Sequence, residues 1–81
     1  MSMNDKSGTG RLEYKDEHDH KFWEGKIQGN AVSLHFGKVG TSGLRASREF
    51  TSSEAALEFL NQRLRKKIQE GYRKVNSDDT P

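Results

Sequence analysis

Apolar and polar positions alternate with a period of two through most of residues 11–50, and with a helical period after that. Residues 11–16, RLEYKD, place Leu12 and Tyr14 on one face, as a half-buried strand requires. The polar segment EHDH at 17–20 reads as a connection. Residues 21–28, KFWEGKIQ, put Trp23 and Ile27 on one face and Phe22 on the other. Gly29-Asn30 is a two-residue turn signal, because both residue types tolerate positive φ. Residues 31–38 return with Val32, Leu34 and Phe36 in phase. The bend GTSG at 40–43 then leads into 44–50, LRASREF, with Leu44, Ala46 and Phe50 aligned. The pattern predicts a meander of antiparallel strands with one apolar face and one wet face.

The period changes at Thr51. Thr51 and Glu54 fit a capping box, with Ser52 and Ser53 as competing caps. Residues 54–70, EAALEFLNQRLRKKIQE, contain neither Gly nor Pro. Ala56, Leu57, Leu60, Leu64 and Ile68 form one stripe at helical spacing, bordered by Phe59. Gly71 supplies the C-terminal stop, and basic residues gather in the last turns. A sheet and a helix with one apolar side each bury one another. The expected fold class is therefore α+β: an antiparallel sheet of about four strands with one long C-terminal α-helix across one face.

Length and composition narrow the picture. With 81 residues, 30% hydrophobic and 32% charged, the chain fits one domain with a thin core. Residues 1–9 and 76–81 hold almost no apolar side chains and are expected to be disordered tails, leaving a domain over 10–75. The absence of cysteine excludes disulfides and thiolate metal sites. No apolar run approaches the roughly 20 residues of a membrane span, and the N-terminus lacks the apolar core of a signal peptide. These features lead to the expectation of a soluble, cytoplasmic, monomeric protein with no membrane association.

The formal charge of +2 conceals an asymmetry. Residues 21–75 carry eleven Lys/Arg against five Glu, an excess of six positive charges, and the remaining positions are net acidic. A basic body with acidic ends suits an anionic partner, or simply solubility.

Candidate chemistry concentrates around the glycine-rich bend. Gly37, Gly40 and Gly43 recur at equal spacing, with Lys38 and Arg45 on either side. The G-x-x-G-x-x-G spacing is neither a P-loop nor a dinucleotide fingerprint, and it joins two strands, so no cofactor is expected. Phe36 shares strand parity with Lys38. It is either a core residue or an aromatic face beside a cation, a pair suited to stacking on a base and holding phosphate. Among the helix cations, Lys67 borders the apolar stripe, where its stem can lie along the helix–sheet seam. Arg63 flanks the same edge, and Arg65 and Lys66 lie on the solvent side. His18 and His20 lack the further ligands of a metal site, so no metal is expected. His35 is expected to face water. Nothing in the order of Ser, His and Asp points to catalysis, and a non-enzyme is expected.

The stretch KFWEGKIQGNAVSLHFGKVGTSG, followed by EAALEFLNQRLRKKIQEGY, resembles a WGR domain, most closely in its short bacterial, stand-alone form. Phe36-Gly37-Lys38-Val39-Gly40 occupies the position of the Trp-Gly-Arg triplet that names the family. Phe50 to Ala56, Lys67 and Gly71-Tyr72 match later features, so the resemblance covers about residues 10–73. It implies a twisted antiparallel sheet crossed by a helix, and a nucleic-acid role. In poly(ADP-ribose) polymerases this module helps grip DNA at breaks, its Trp and Arg contacting the DNA end. Carried over, those roles fall on Phe36, Gly37 and Lys38. Phe keeps a stacking face without the indole donor, and Lys keeps the charge without the bidentate fork.

The expected function is thus a small non-catalytic module that binds DNA or another nucleic acid with little sequence preference, through Phe36, Gly37, Lys38, Gly40, Arg45 and Lys67. The alternative is a protein–protein adaptor whose contact surface Phe22 and Tyr72 would form if exposed.

Overall fold

The computed structural model describes residues 8–75. Of the tails expected at 1–9 and 76–81, residues 1–7 and 76–81 lie outside the described residues. Five strands form one antiparallel sheet: β1 (Gly8–Lys15), β2 (His20–Gln28), β3 (Ala31–Lys38), β4 (Leu44–Glu49) and β5 (Arg73–Lys74). A single helix, α1 (Ser53–Gln69), separates β4 from β5. The strand order is β4-β3-β2-β1-β5. The first four strands follow the predicted meander, and the α+β class stands as expected.

Register explains the core. Leu12 lies opposite Trp23, Trp23 opposite Phe36, and Phe36 opposite Leu44. All four therefore project from one face, since side chains alternate along each strand. The helix packs on that face over β2 and β3. Leu12, Trp23, Val32, Ala56, Leu60 and Tyr72 form the buried cluster, with Phe36, Leu34, Leu64 and Phe59 partly buried around it. Gly25 lies beneath Leu60, and a Cβ built there would come within 2.5 Å of the Leu60 methyl. The glycine lets helix and sheet approach closely.

Five expectations change. Ser52, not Thr51, caps the helix: its Oγ accepts from the Ala55 N–H at 3.1 Å, and its backbone is extended. Glu54 then sits one place too early for a capping box, although it still faces the positive end of the helix dipole. The apolar stripe is narrower than its spacing suggests. Ala56 and Leu60 are buried, while Leu57 and Ile68 are 46% and 47% exposed, because the sheet meets only one side of the helix. β1 begins at Gly8, inside the segment expected to be a tail. A bulge between Gly8 and Gly10 turns the Thr9 hydroxyl inward, where it accepts the Gly25 N–H at 3.0 Å. The far face of the sheet is not simply wet, since Phe22 is buried there.

The fifth strand was not expected. Gly71, at φ +109, ends the helix with two bonds: Gly71 N–H to the Ile68 carbonyl (3.1 Å) and Tyr72 N–H to the Lys67 carbonyl (3.0 Å). This is a Schellman closure. It turns the chain back so that Tyr72 enters the core and Arg73-Lys74 pair with Glu13 and Leu12. No helix of the described chain is long and apolar enough to cross a membrane.

Candidate nucleic-acid interface

The GTSG bend folds back against the sheet, and this explains its glycines. A Cβ on Gly37 would lie 2.8 Å from the Gly43 Cα, and one on Gly43 would lie 2.6 Å from the Phe36 carbonyl oxygen and 2.8 Å from the Phe22 ring. Gly37 and Gly43 are therefore backbone-to-backbone packing positions. Gly40 has φ +97 and open space around it, so there the turn conformation alone favours glycine. His35 pins the bend: Nε2 lies 2.7 Å from the Ser42 carbonyl oxygen and Nδ1 lies 3.0 Å from Glu24 Oε2. Its ring also meets Phe22 edge-on, with centroids 4.9 Å apart. His35 is thus half-buried in a network, not a water-facing residue. Arg11 covers the same Phe22 ring at 4.5 Å and pairs with Glu13, which also holds His20 at 2.8 Å.

The candidate binding residues divide between the two faces. Phe36 and Lys38 share the helix side, as parity predicts. Phe36 packs against the core cluster and is half-buried, while Lys38 is exposed at the strand end. Arg45 lies opposite His35 in register. It therefore projects from the far face, where it lines a hollow of about 340 Å³ with Ser33, His35 and Ser47. The structure does not bring Arg45 to Lys38. Lys67 lies on the helix side, with its ammonium 5.1 Å above the Tyr72 ring and 3.5 Å from Glu70 Oε1.

Three residues outside the predicted set complete a row. Lys21 lies directly opposite Lys38 on the neighbouring strand, and Tyr14 lies opposite Lys21. The Lys21 ammonium sits 5.3 Å from the Tyr14 ring centroid, and Tyr14 tilts against Tyr72 with centroids 5.6 Å apart. Contacts thus run Lys67–Tyr72–Tyr14–Lys21, and register adds Lys38. The signal for Lys21 was available, because it stands two residues before the buried Trp23. Tyr72 was not legible as a partner, because only the helix-ending turn brings it to Tyr14.

Like charges directly opposed in a sheet repel. Among the described residues, neither Lys21 nor Lys38 has a carboxylate at ion-pair distance. The Lys21 charge reaches Asp16, but the Asp16 oxygens are hydrogen-bonded elsewhere. Asp16 accepts the Tyr14 hydroxyl at 2.7 Å and the backbone N–H groups of Asp19 and His18 at 2.7 and 2.8 Å. The Tyr14 hydrogen bond, then those from Asp19 and His18, and last the Lys21 charge, lower the Asp16 pKa, and Asp16 in turn raises that of Tyr14. Phe22 and Tyr72 are buried, at 2% and 7% exposure, so the adaptor surface expected on them is not present.

Comparison with known proteins agrees with this architecture. Two Escherichia coli K12 proteins are similar in sequence. YfeS is 32% identical over 62 residues, covering 76% of this chain and 25% of the relative. YehF is 33% identical over 67 residues, covering 83% and 24%. The chain thus spans about a quarter of the length of these relatives. A crystal structure of a Bacteroides fragilis protein superposes with a TM-score of 0.78 at 26% identity, covering 80% of this chain and 18% of that one. A family model described as the WGR domain matches residues 9–79, nearly the whole sequence. With the meander, the crossing helix and the Phe36-Gly37-Lys38 strand end in place, the chain belongs to the WGR domain family.

Proposed function

We propose that this domain is a non-catalytic module that binds nucleic acid, DNA foremost, through backbone contacts at or near an end and with little sequence preference. One observation carries the reading: Lys21 and Lys38 face each other in register on the helix side, with no carboxylate at ion-pair distance among the described residues. A phosphate between two such ammonium groups relieves their repulsion and gains charge-assisted hydrogen bonds. Half-buried Phe36 precedes Lys38 by two residues on the same face, and Lys67 extends the positive field. Gly37 and Gly40 shape the bend that holds the strand end in position. Phosphate contacts position a nucleic acid without reading its sequence.

The test is a titration of short blunt duplexes by fluorescence anisotropy across a range of salt. Each phosphate contact contributes about 0.9 to the slope of log affinity against log salt. Lys21→Ala and Lys38→Ala should each reduce the slope by about that amount, and Arg45→Ala, on the far face, should leave it unchanged. Absence of binding at low salt, or an unaltered slope in the Lys21→Ala/Lys38→Ala double variant, defeats the reading.

A further inference from the structure

The helix covers β2 and β3 but leaves the helix-side face of β4 open. Leu44, Ala46 and Arg48 project from that face, opposite Phe36, Leu34 and Val32, and Leu44 is 66% exposed. Between them and α1 lies a shelf one strand wide, running from the Phe36–Lys38 end toward the start of the helix.

The far end of the shelf carries an arginine–phenylalanine stack. Phe50 and Phe59 tilt against each other with centroids 5.1 Å apart. The Arg48 guanidinium lies 5.2 Å from the Phe50 centroid and 5.4 Å from that of Phe59, and Arg63 lies 5.2 Å from Phe59. Among the described residues neither arginine has an acidic partner. A hollow of about 240 Å³, lined by Phe59, Gln62, Arg63 and Lys66, adjoins them. The planar guanidinium fork is pre-organised, so less side-chain entropy is lost per hydrogen bond when an anion arrives.

We propose that this shelf is a second contact site, taking the single-stranded extension of a nucleic acid whose end is held at Lys38. The inference rests on the function proposed above and adds the form of the ligand. Charge complementarity argues for a polyanion, since the shelf presents Arg48, Arg63 and Lys66, and Lys38 stands at its other end. The half-buried Phe50 and Phe59 rings and the exposed guanidiniums over them argue for a single strand, because unpaired bases offer faces to stack while a duplex hides them. From Val32 to Lys38 the track measures about 20 Å at about 3.3 Å per residue. That holds about four to six nucleotides, given about 3.4 Å per stacked nucleotide and more when extended.

The experiment compares a blunt duplex, the same duplex with a six-nucleotide overhang on either strand, and the six-nucleotide single strand alone. One overhang polarity should bind about tenfold more tightly than the blunt duplex, the effect of one stacked base. Arg48→Ala/Arg63→Ala should abolish that gain and leave blunt-duplex affinity within about twofold. Arg48→Lys/Arg63→Lys preserves the charge and the helix surface. It should lose most of the gain if planar stacking matters, and it serves if circular dichroism shows the alanine variant unfolded. Equal binding of blunt and overhanging duplexes, or a gain that survives both variants, overturns the shelf while leaving the proposed function intact. Binding of single strands but not of blunt duplexes supports the shelf and defeats the duplex-end reading. A glutamate-rich peptide that competes as well as the single strand overturns the inference in favour of an acidic protein segment.

Discussion

The crowding of Gly43 against the sheet can be measured by Gly43→Ala, with Gly29→Ala as an internal reference. The two glycines have nearly the same backbone, φ +70 at Gly43 and +65 at Gly29. They differ in surroundings: nothing lies within 4 Å of a Cβ on Gly29, whereas one on Gly43 meets the Phe36 carbonyl oxygen at 2.6 Å, the Phe22 ring at 2.8 Å and His35 at 3.2 Å. The left-handed strain is common to both and costs about 1–2 kcal/mol. Overpacking adds about 1–3 kcal/mol at Gly43 alone, because a carbonyl oxygen and a buried ring cannot rotate aside. Gly43→Ala should therefore lose about 2–5 kcal/mol and Gly29→Ala about 1–2. A domain of this size has about 4–12 kcal/mol in total, so the difference is large on that scale. Urea unfolding followed by Trp23 fluorescence gives both values from midpoint and slope. Equal losses in the two variants would refute the claim that the bend is packed onto β3, and would reopen the glycines as an approach for a ligand.

Other consequences follow from the same contacts. Leu60→Ala empties the centre of the helix–sheet interface and should cost about 2–5 kcal/mol in the same assay, whereas Leu57→Ala, on the exposed side, should cost less than about 0.5. Glu13 has its pKa lowered by hydrogen bonds from Arg11 and then His20. Between its folded and ordinary values the unfolded chain binds more protons, so stability should fall as pH drops through that window. Unfolding of Glu13→Gln measured from neutral to acid pH should show a shallower decline; an unchanged acid limb contradicts the pairing. Asp16→Asn removes the carboxylate that raises the Tyr14 pKa, so spectrophotometric titration should move one tyrosine to lower pH.

Periodicity and end signals determine the elements of this protein. The two-residue alternation of Val32, Leu34 and Phe36, the Gly29-Asn30 turn and the uninterrupted run before Gly71 yield four strands and the helix, because local spacing decides which side of an element can be buried. The stop at Gly71 was equally legible, since only its backbone must change. Tertiary structure decided the rest. Arg45 and Lys38 flank the same bend in sequence, yet the pairing of β3 with β4 sends them to opposite faces. Lys21 joins Lys38 only through cross-strand register, and Arg48 meets Arg63 only around Phe59. Leu57 and Ile68 carry the helical period of core residues but remain exposed, because a sheet buries a single narrow stripe of one helix. Burial and convergence depend on which distant segment packs opposite a residue, and local spacing does not specify that.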